Sequence, residues 1–193
     1  VDAFGGGAVS EAHSHLQLGN ISVMTRAQPV SIRVARPDDG PFVNELLEAS
    51  YPVLMKTAYE AAVLAAALPL MTRADPALLS SGSYYVALAS DGRLAGCGGW
   101  TPERPGSGEV VARLAHIRHF ATRPGWLRRG VGKAIYARCE HEARAAGARQ
   151  FECYASLNAT GFYFSLGFRE IRPVEIAMGP GLEFSSVLMQ RSI

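Results

Sequence analysis

Leu127-Arg128-Arg129-Gly130-Val131-Gly132-Lys133 joins a β-like run to a long helical one. On its N-terminal side, His116-Ile117-Arg118-His119-Phe120-Ala121-Thr122 is dense in β-branched and aromatic residues and is closed by Pro124-Gly125. That is the composition of a strand ending in a turn. On its C-terminal side, Val131, Ala134, Ile135, Cys139, Ala143 and Ala146 recur at helical spacing, and Gly147 stands where a helix C-terminus takes a left-handed residue. Glycines at such a corner let backbone N–H groups come close to an anion, and the helix N-terminus contributes partial positive charge. Arg128, Arg129 and Lys133 add full charges at the same place. The stretch reads as a cradle for a pyrophosphate.

Two common phosphate loops do not fit it. A P-loop needs lysine after its second glycine, but Val131 follows Gly130; a dinucleotide fingerprint needs a third glycine where Ile135 stands. The pattern Q/R-x-x-G-x-G/A does fit, with one departure, Leu127 in place of Gln or Arg. On this loop the chain resembles the GNAT superfamily of N-acetyltransferases, whose loop contacts acetyl-CoA mainly through backbone amides. Asn158-Ala159-Thr160-Gly161-Phe162-Tyr163-Phe164-Ser165-Leu166-Gly167-Phe168 is similar to the second signature of that family, an Asn, an aromatic-Tyr pair, then Gly-Phe. One helix and one strand (Gln150 to Ala155) separate the two, in the family's order.

The resemblance covers about Ser31 to Ile193. It implies an α/β (α+β) fold: a mixed, mostly antiparallel sheet with a splay between the fourth and fifth strands, flanked by helices. It also implies an enzyme moving an acetyl group from acetyl-CoA to a primary amine by direct attack in a ternary complex. A small-molecule amine is the expected acceptor; a protein lysine or N-terminus is the alternative, and a non-catalytic acyl-CoA-binding module is the alternative of another class.

The chain has 193 residues, 48% of them hydrophobic, enough for one ordinary core. A net charge of +2 implies no polyanion partner, and no basic stripe for nucleic acid stands out beyond the phosphate loop. No apolar run approaches the roughly 20 residues that span a bilayer. Cys97, Cys139 and Cys153 lack C-x-x-C spacing and read as buried free thiols of a cytoplasmic protein rather than as a metal site. Residues 1–23, with Gly5-Gly6-Gly7 and His13-Ser14-His15, show no sustained period and no signal-peptide pattern. They read as an extension ahead of a start near Met24, with residues 24–193 as a single domain.

Arg36-Pro37-Asp38-Asp39 reads as a strand end and a helix start, Tyr51-Pro52 as an interruption, and Ala58 to Leu68 as a second helix. Tyr51, Met55, Tyr59 and Met71 either line an acceptor pocket or pack as an ordinary amphipathic face. Ser90-Asp91-Gly92-Arg93 between two strand-like runs signals a hairpin. Phe168 to Pro173 and Phe184 to Arg191 read as two last strands, which in the family often contribute to a homodimer.

Along the strand before the loop, alternation sends His116, Arg118, Phe120 and Thr122 to one face and Ile117, His119 and Ala121 to the other. The resemblance places the splay at about Phe120, Ala121 and Thr122, whose backbone would pair with the pantetheine arm. Cofactor contacts are expected from these three, from Arg128, Arg129, Gly130, Val131, Gly132 and Lys133, and from Asn158, which serves equally as an N-cap. His116 occupies the position of the family's proton-accepting Glu or His, against the alternative of a strand-edge hydrogen bond; its ordinary pKa near 6.5 suits transfer at neutral pH. Glu152 is the reserve. Tyr163 corresponds to the tyrosine that protonates or stabilises the leaving thiolate. Arg118 either holds an acceptor carboxylate or phosphate or pairs with Glu109 or Glu152.

Overall fold

The computed structural model describes residues 30–193; the expected extension over 1–23 and the start near Met24 lie outside them. The Asp91-Gly92 turn closes a hairpin between β2 (Tyr84–Leu88) and β3 (Leu94–Thr101) as the alternation predicts, with Gly92 at φ +81°. β1 (Ser31–Val34) adds to the free side of β2, and β4 (Leu114–Thr122) adds to β3. β5 (Gln150–Ser156), β6 (Arg169–Gly179) and β7 (Leu182–Ser192) complete a seven-stranded sheet in the order β1-β2-β3-β4-β5-β7-β6. Every pairing is antiparallel except β4 with β5. That pair is joined through α4 (Val131–Ala145), because parallel neighbours need a crossover.

α4 buries Val131, Ile135, Cys139 and Ala143 of the stripe read from the sequence, together with Tyr136, against one sheet face, while Ala134 is only half-buried and Ala146 is exposed; Gly147 follows at φ +93°. The other face is covered by α1 (Gly40–Met55), α2 (Ala61–Met71) and α3 (Pro76–Ser80), whose core includes Val43, Leu46, Leu47 and Leu78. α1 does not stop at Tyr51-Pro52 as expected. Proline removes one helical N–H, but Tyr51 and Met55 are buried in the same core and hold the last turn in place.

The strict alternation expected along β4 fails at His119. Cys97 pairs with Ala121 while Gly99 pairs with Arg118, so β4 carries one residue more than β3 between them. That extra residue is a β-bulge, and His119 sits at φ +52°. Faces reverse across it: Ala115 and Ile117 pack on the α4 side, but Ala121 packs on the α1 side and Phe120 packs against the α4-side core. Two phenols hold the bulge, Tyr84 donating to the His119 carbonyl at 3.0 Å and Tyr51 to the Phe120 carbonyl at 3.3 Å. The His119 ring donates through Nε2 to the Met71 carbonyl, 2.9 Å away at the end of α2.

β4 and β5 pair only at Leu114–Gln150, Ala115–Phe151 and His116–Glu152. β5 then continues beside β7 as far as Ser156–Ser186, so from Ile117 and Cys153 onward the two strands part. The splay therefore begins at Ile117, earlier than the expected Phe120 to Thr122 and two residues ahead of the bulge.

Gly98 faces the bulge, and the Phe120 ring occupies the space its side chain would take: a Cβ there would lie 2.4 Å from Phe120 Cδ2. Gly98→Ala is expected to lower stability by about 1–3 kcal/mol through forced repacking. The check is a lower urea midpoint at constant slope; an unchanged midpoint would show that the ring has room to move.

Candidate functional site

The parting of β4 and β5 opens a cleft of about 1460 Å³. One end is the Gly-rich corner, lined by Arg128, Gly130, Val131, Gly132 and Lys133. Arg128 (φ +60°) and Gly130 (φ +81°) take left-handed conformations that swing the chain into α4. Gly130 is the N-cap and no side chain caps it, so the first-turn N–H groups have no capping acceptor among the described residues. These orphan donors, the helix dipole and two cations give an anion site. Gly132 is closely packed: a Cβ would stand 3.1 Å from the Phe162 ring, which would have to shift slightly to admit it. Arg129 lies outside the cleft wall, stacked over Trp126 at 5.3 Å, where it adds charge from the flank.

Phe120, Ala121 and Thr122 line one side of the opening, and Cys153, Tyr154, Ala155 and Ser156 the other. Asn158 reaches the cleft from the short 3-10 turn after β5. It does not cap α5 (Thr160–Ser165), whose N-cap is Ala159 with no side-chain bond. Its amide is thereby left to the cleft. Tyr163 projects from α5 into the cleft wall, its ring set edge-on between Phe162 and Phe168 at centroid distances of 5.1 and 5.3 Å. Burial, foremost, pushes its phenol well above the ordinary value of 10.0, so the hydroxyl keeps its proton.

His116 and Glu152 form the last rung before the strands part. His116 is 1% exposed and does not line the cleft wall. Its Nδ1 is 3.7 Å from Glu152 Oε2, and neither ring nitrogen has a hydrogen-bond partner, so a strand-edge hydrogen bond does not account for it. Glu152 accepts from Gln190 Nε2 at 2.6 Å. Arg104 reaches over from the β3–β4 loop, 4.0 Å from Glu152 and 2.9 Å from Glu109. Burial pulls the His116 pKa below 6.5, against the upward influence of Glu152; Arg104 and Arg118 add to the fall. The ring is neutral at physiological pH.

Arg104 is absent from the sequence reading, because a loop residue with no periodicity carries no sign of what it will touch. It takes Glu109 and approaches Glu152, the partners considered for Arg118. Arg118 instead donates to Thr101 Oγ1 at 3.0 Å and lines the cleft. Tyr51, Met55 and Met71 line it too. Tyr59 does not; its hydroxyl donates to the Ser185 carbonyl at 2.8 Å and accepts from the Leu157 N–H at 2.7 Å.

Cys97, Cys139 and Cys153 are free and buried, and burial raises the Cys97 thiol to about 11. Among the described residues no cluster of three or more His, Cys, Asp or Glu could hold a metal ion, and no helix is long and apolar enough to cross a membrane.

Residues 60–181 match the sequence family described as "Acetyltransferase (GNAT) domain". No curated protein matches the chain. Among solved structures it is similar to a GCN5-related N-acetyltransferase (aminotransferase class II) of Rhodopseudomonas palustris, at 22% identity and TM-score 0.67 over 85% of this chain and 96% of that one. It is also similar to the PaiA N-acetyltransferase of Thermoplasma acidophilum, solved with coenzyme A (16% identity, TM-score 0.63, 86% and 99% covered). A Mycobacterium tuberculosis protein solved with CoA matches at 20% identity and TM-score 0.55, over 84% of this chain and 99% of that one. At such identities the likeness is one of fold.

Burial lowers the pKa of His119 as well as of His116 below 6.5. The fold prefers both rings neutral while the unfolded chain protonates them near 6.5, so stability is full above that pH and falls as pH drops below it. His119→Gln removes one titrating group and keeps a donor for Met71. Between about pH 7.5 and 5.5 its urea midpoint should fall less than that of the wild type; parallel declines would contradict the assignment.

Proposed function

The chain belongs to the GNAT acetyltransferase family and is an acetyltransferase, and from that premise we propose that it moves the acetyl group of acetyl-CoA to a primary amine of a small molecule, both bound at once. The observation that carries this reading is the parting of β4 from β5 directly upstream of an uncapped, cation-flanked helix N-terminus. A diphosphate fits the orphan N–H groups of α4 with Arg128 and Lys133 beside them, while Arg129 raises the local potential from over Trp126. The unpaired edge of β4 at Phe120, Ala121 and Thr122 offers backbone groups to an amide-bearing arm, with the Asn158 amide opposite.

Direct attack requires an amine without its extra proton. The His116 ring is sealed one rung behind the opening, so it takes that proton through a water relay, with Glu152 beside it stabilising the imidazolium. When the carbon–sulfur bond breaks, Tyr163 donates its phenolic proton to the leaving sulfur, a role its strongly raised pKa favours. No covalent enzyme intermediate is needed, since the amine itself is the nucleophile. The remaining parts of the reading are a single domain over residues 24–193, a cytoplasmic setting that three free buried thiols support, and a homodimer through the β6–β7 hairpin, whose outer edge has no strand beside it among the described residues.

A thiol-release screen with amines, polyamines, amino acids, antibiotics and peptides tests the reading. Release with small amines supports it; release with peptides alone, or CoA binding without any release, overturns it. Tyr163→Phe should lower kcat roughly 10²-fold with the CoA Kd within about twofold; an unchanged kcat across pH would remove the acid. The base works only when neutral, so the wild-type acidic limb of kcat/KM should lie below pH 6.5. His116→Ala should abolish that limb, and a limb that survives acquits His116.

A further inference from the structure

On the acceptor side, Arg118 differs from the other basic residues of the cleft wall. Arg73 and Arg172 are exposed and solvated at the rim, whereas Arg118 is half-buried on β4, next to the bulge. Its Nη1 donates to Thr101 Oγ1 at 3.0 Å, and the buried Thr101 hydroxyl in turn donates to the Glu103 carbonyl at 2.8 Å. The guanidinium is thus held in one orientation. No carboxylate lies within ion-pair distance of it among the described residues. Asp75 caps α3 through the Ala77 N–H, Glu175 accepts from Ser185 Oγ, and Glu109 pairs with Arg104.

A guanidinium drawn partly out of water and fixed without a counter-charge is unfavourable until an anion meets it. With Nη1 engaged at Thr101, the Nε–Nη2 edge remains, a planar pair of donors that matches one carboxylate. The cleft that Arg118 lines carries apolar residues, Met55, Leu70 and Met71 from the helices and Val174, Ile176 and Phe184 from the β6–β7 hairpin, beside polar ones that include Asp75 and Glu175.

We propose that the acceptor is an amino acid with an apolar side chain, its carboxylate held by the free edge of Arg118 and its side chain by these apolar residues. The inference rests on the acetyl transfer proposed above. The amino nitrogen bonds the acetyl carbon, the carbon–sulfur bond breaks, and the proton shed by nitrogen is balanced by the one gained at sulfur. The products are an N-acetyl amino acid and free CoA thiol.

The test compares thiol release with phenylalanine and with 2-phenylethylamine, its counterpart without the carboxylate, in wild type, Arg118→Met and Arg118→Lys, with phosphoethanolamine and a blocked-C-terminus dipeptide as further acceptors. A charged hydrogen-bonded contact is worth about 10–100-fold, so wild-type kcat/KM should favour phenylalanine by that factor. In Arg118→Met the preference should collapse to near unity, with 2-phenylethylamine changed by less than about threefold. Arg118→Lys should fall between, since it keeps the charge and loses the planar edge. Equal wild-type rates for the two acceptors, an equal drop for both in Arg118→Met, or better turnover of phosphoethanolamine or the dipeptide would each overturn the inference while leaving acetyl transfer standing. If none of the acceptors gave any release, the transfer reading itself would be overturned.

Discussion

One surplus residue in β4 governs the site. Between Arg118 and Ala121 the strand is one residue longer than its partner on β3, and His119 takes up the excess at positive φ. β4 has already left β5 after His116, and past the bulge it stays with β3. A left-handed histidine costs on the order of 1–3 kcal/mol and persists only where its surroundings over-determine it. Here they do: Tyr84 and Tyr51 hold successive carbonyls, the His119 ring holds the end of α2, and the Phe120 ring fills the space above Gly98.

The same bulge distributes the chemistry. Before it, odd-numbered residues of β4 pack toward α4, which leaves Arg118 on the opposite face and His116 near the loop that carries Arg104. After it, the parity is reversed, so Phe120 turns toward α5 and the α4 corner. Charge follows the same division: Arg128 and Lys133 gather at the corner, while Arg118 lines the cleft from the strand before the bulge, half-buried. The titrating groups are tuned chiefly by burial. It raises the Tyr163 phenol and lowers the His116 imidazole, the directions that the proposed acid and base roles require.

Features set by local backbone demands were legible in the sequence. The Gly130-Val131-Gly132 corner, the Asp91-Gly92 hairpin, the α4 stripe with Gly147 after it, and the Asn-to-Gly-Phe signature all declare themselves through residues whose neighbours in space are neighbours in sequence. The bulge does not. Its pivot is a histidine rather than a glycine, and alternation carries no mark of a residue that opposes nothing, so the faces of His119 and Ala121 could not be read correctly. Pro52 misled because tertiary packing of Tyr51 and Met55 outweighs one missing helical hydrogen bond. The capping role considered for Asn158 and the ion pairs considered for Arg118 failed for a related reason. Each depended on which of several competing partners tertiary contact brings closest, and Ala159 and Arg104 hold those places.

The central claim is that an uncapped helix start and the unpaired edge of β4 jointly hold coenzyme A. Amide hydrogen exchange read by mass spectrometry, with and without coenzyme A, addresses it at the level of the backbone groups involved. The account predicts slowed exchange in two separate segments, at Val131 to Lys133 and along Ile117 to Thr122, with β1 and β2 unaffected. Protection confined elsewhere, or none at saturating coenzyme A, would contradict it.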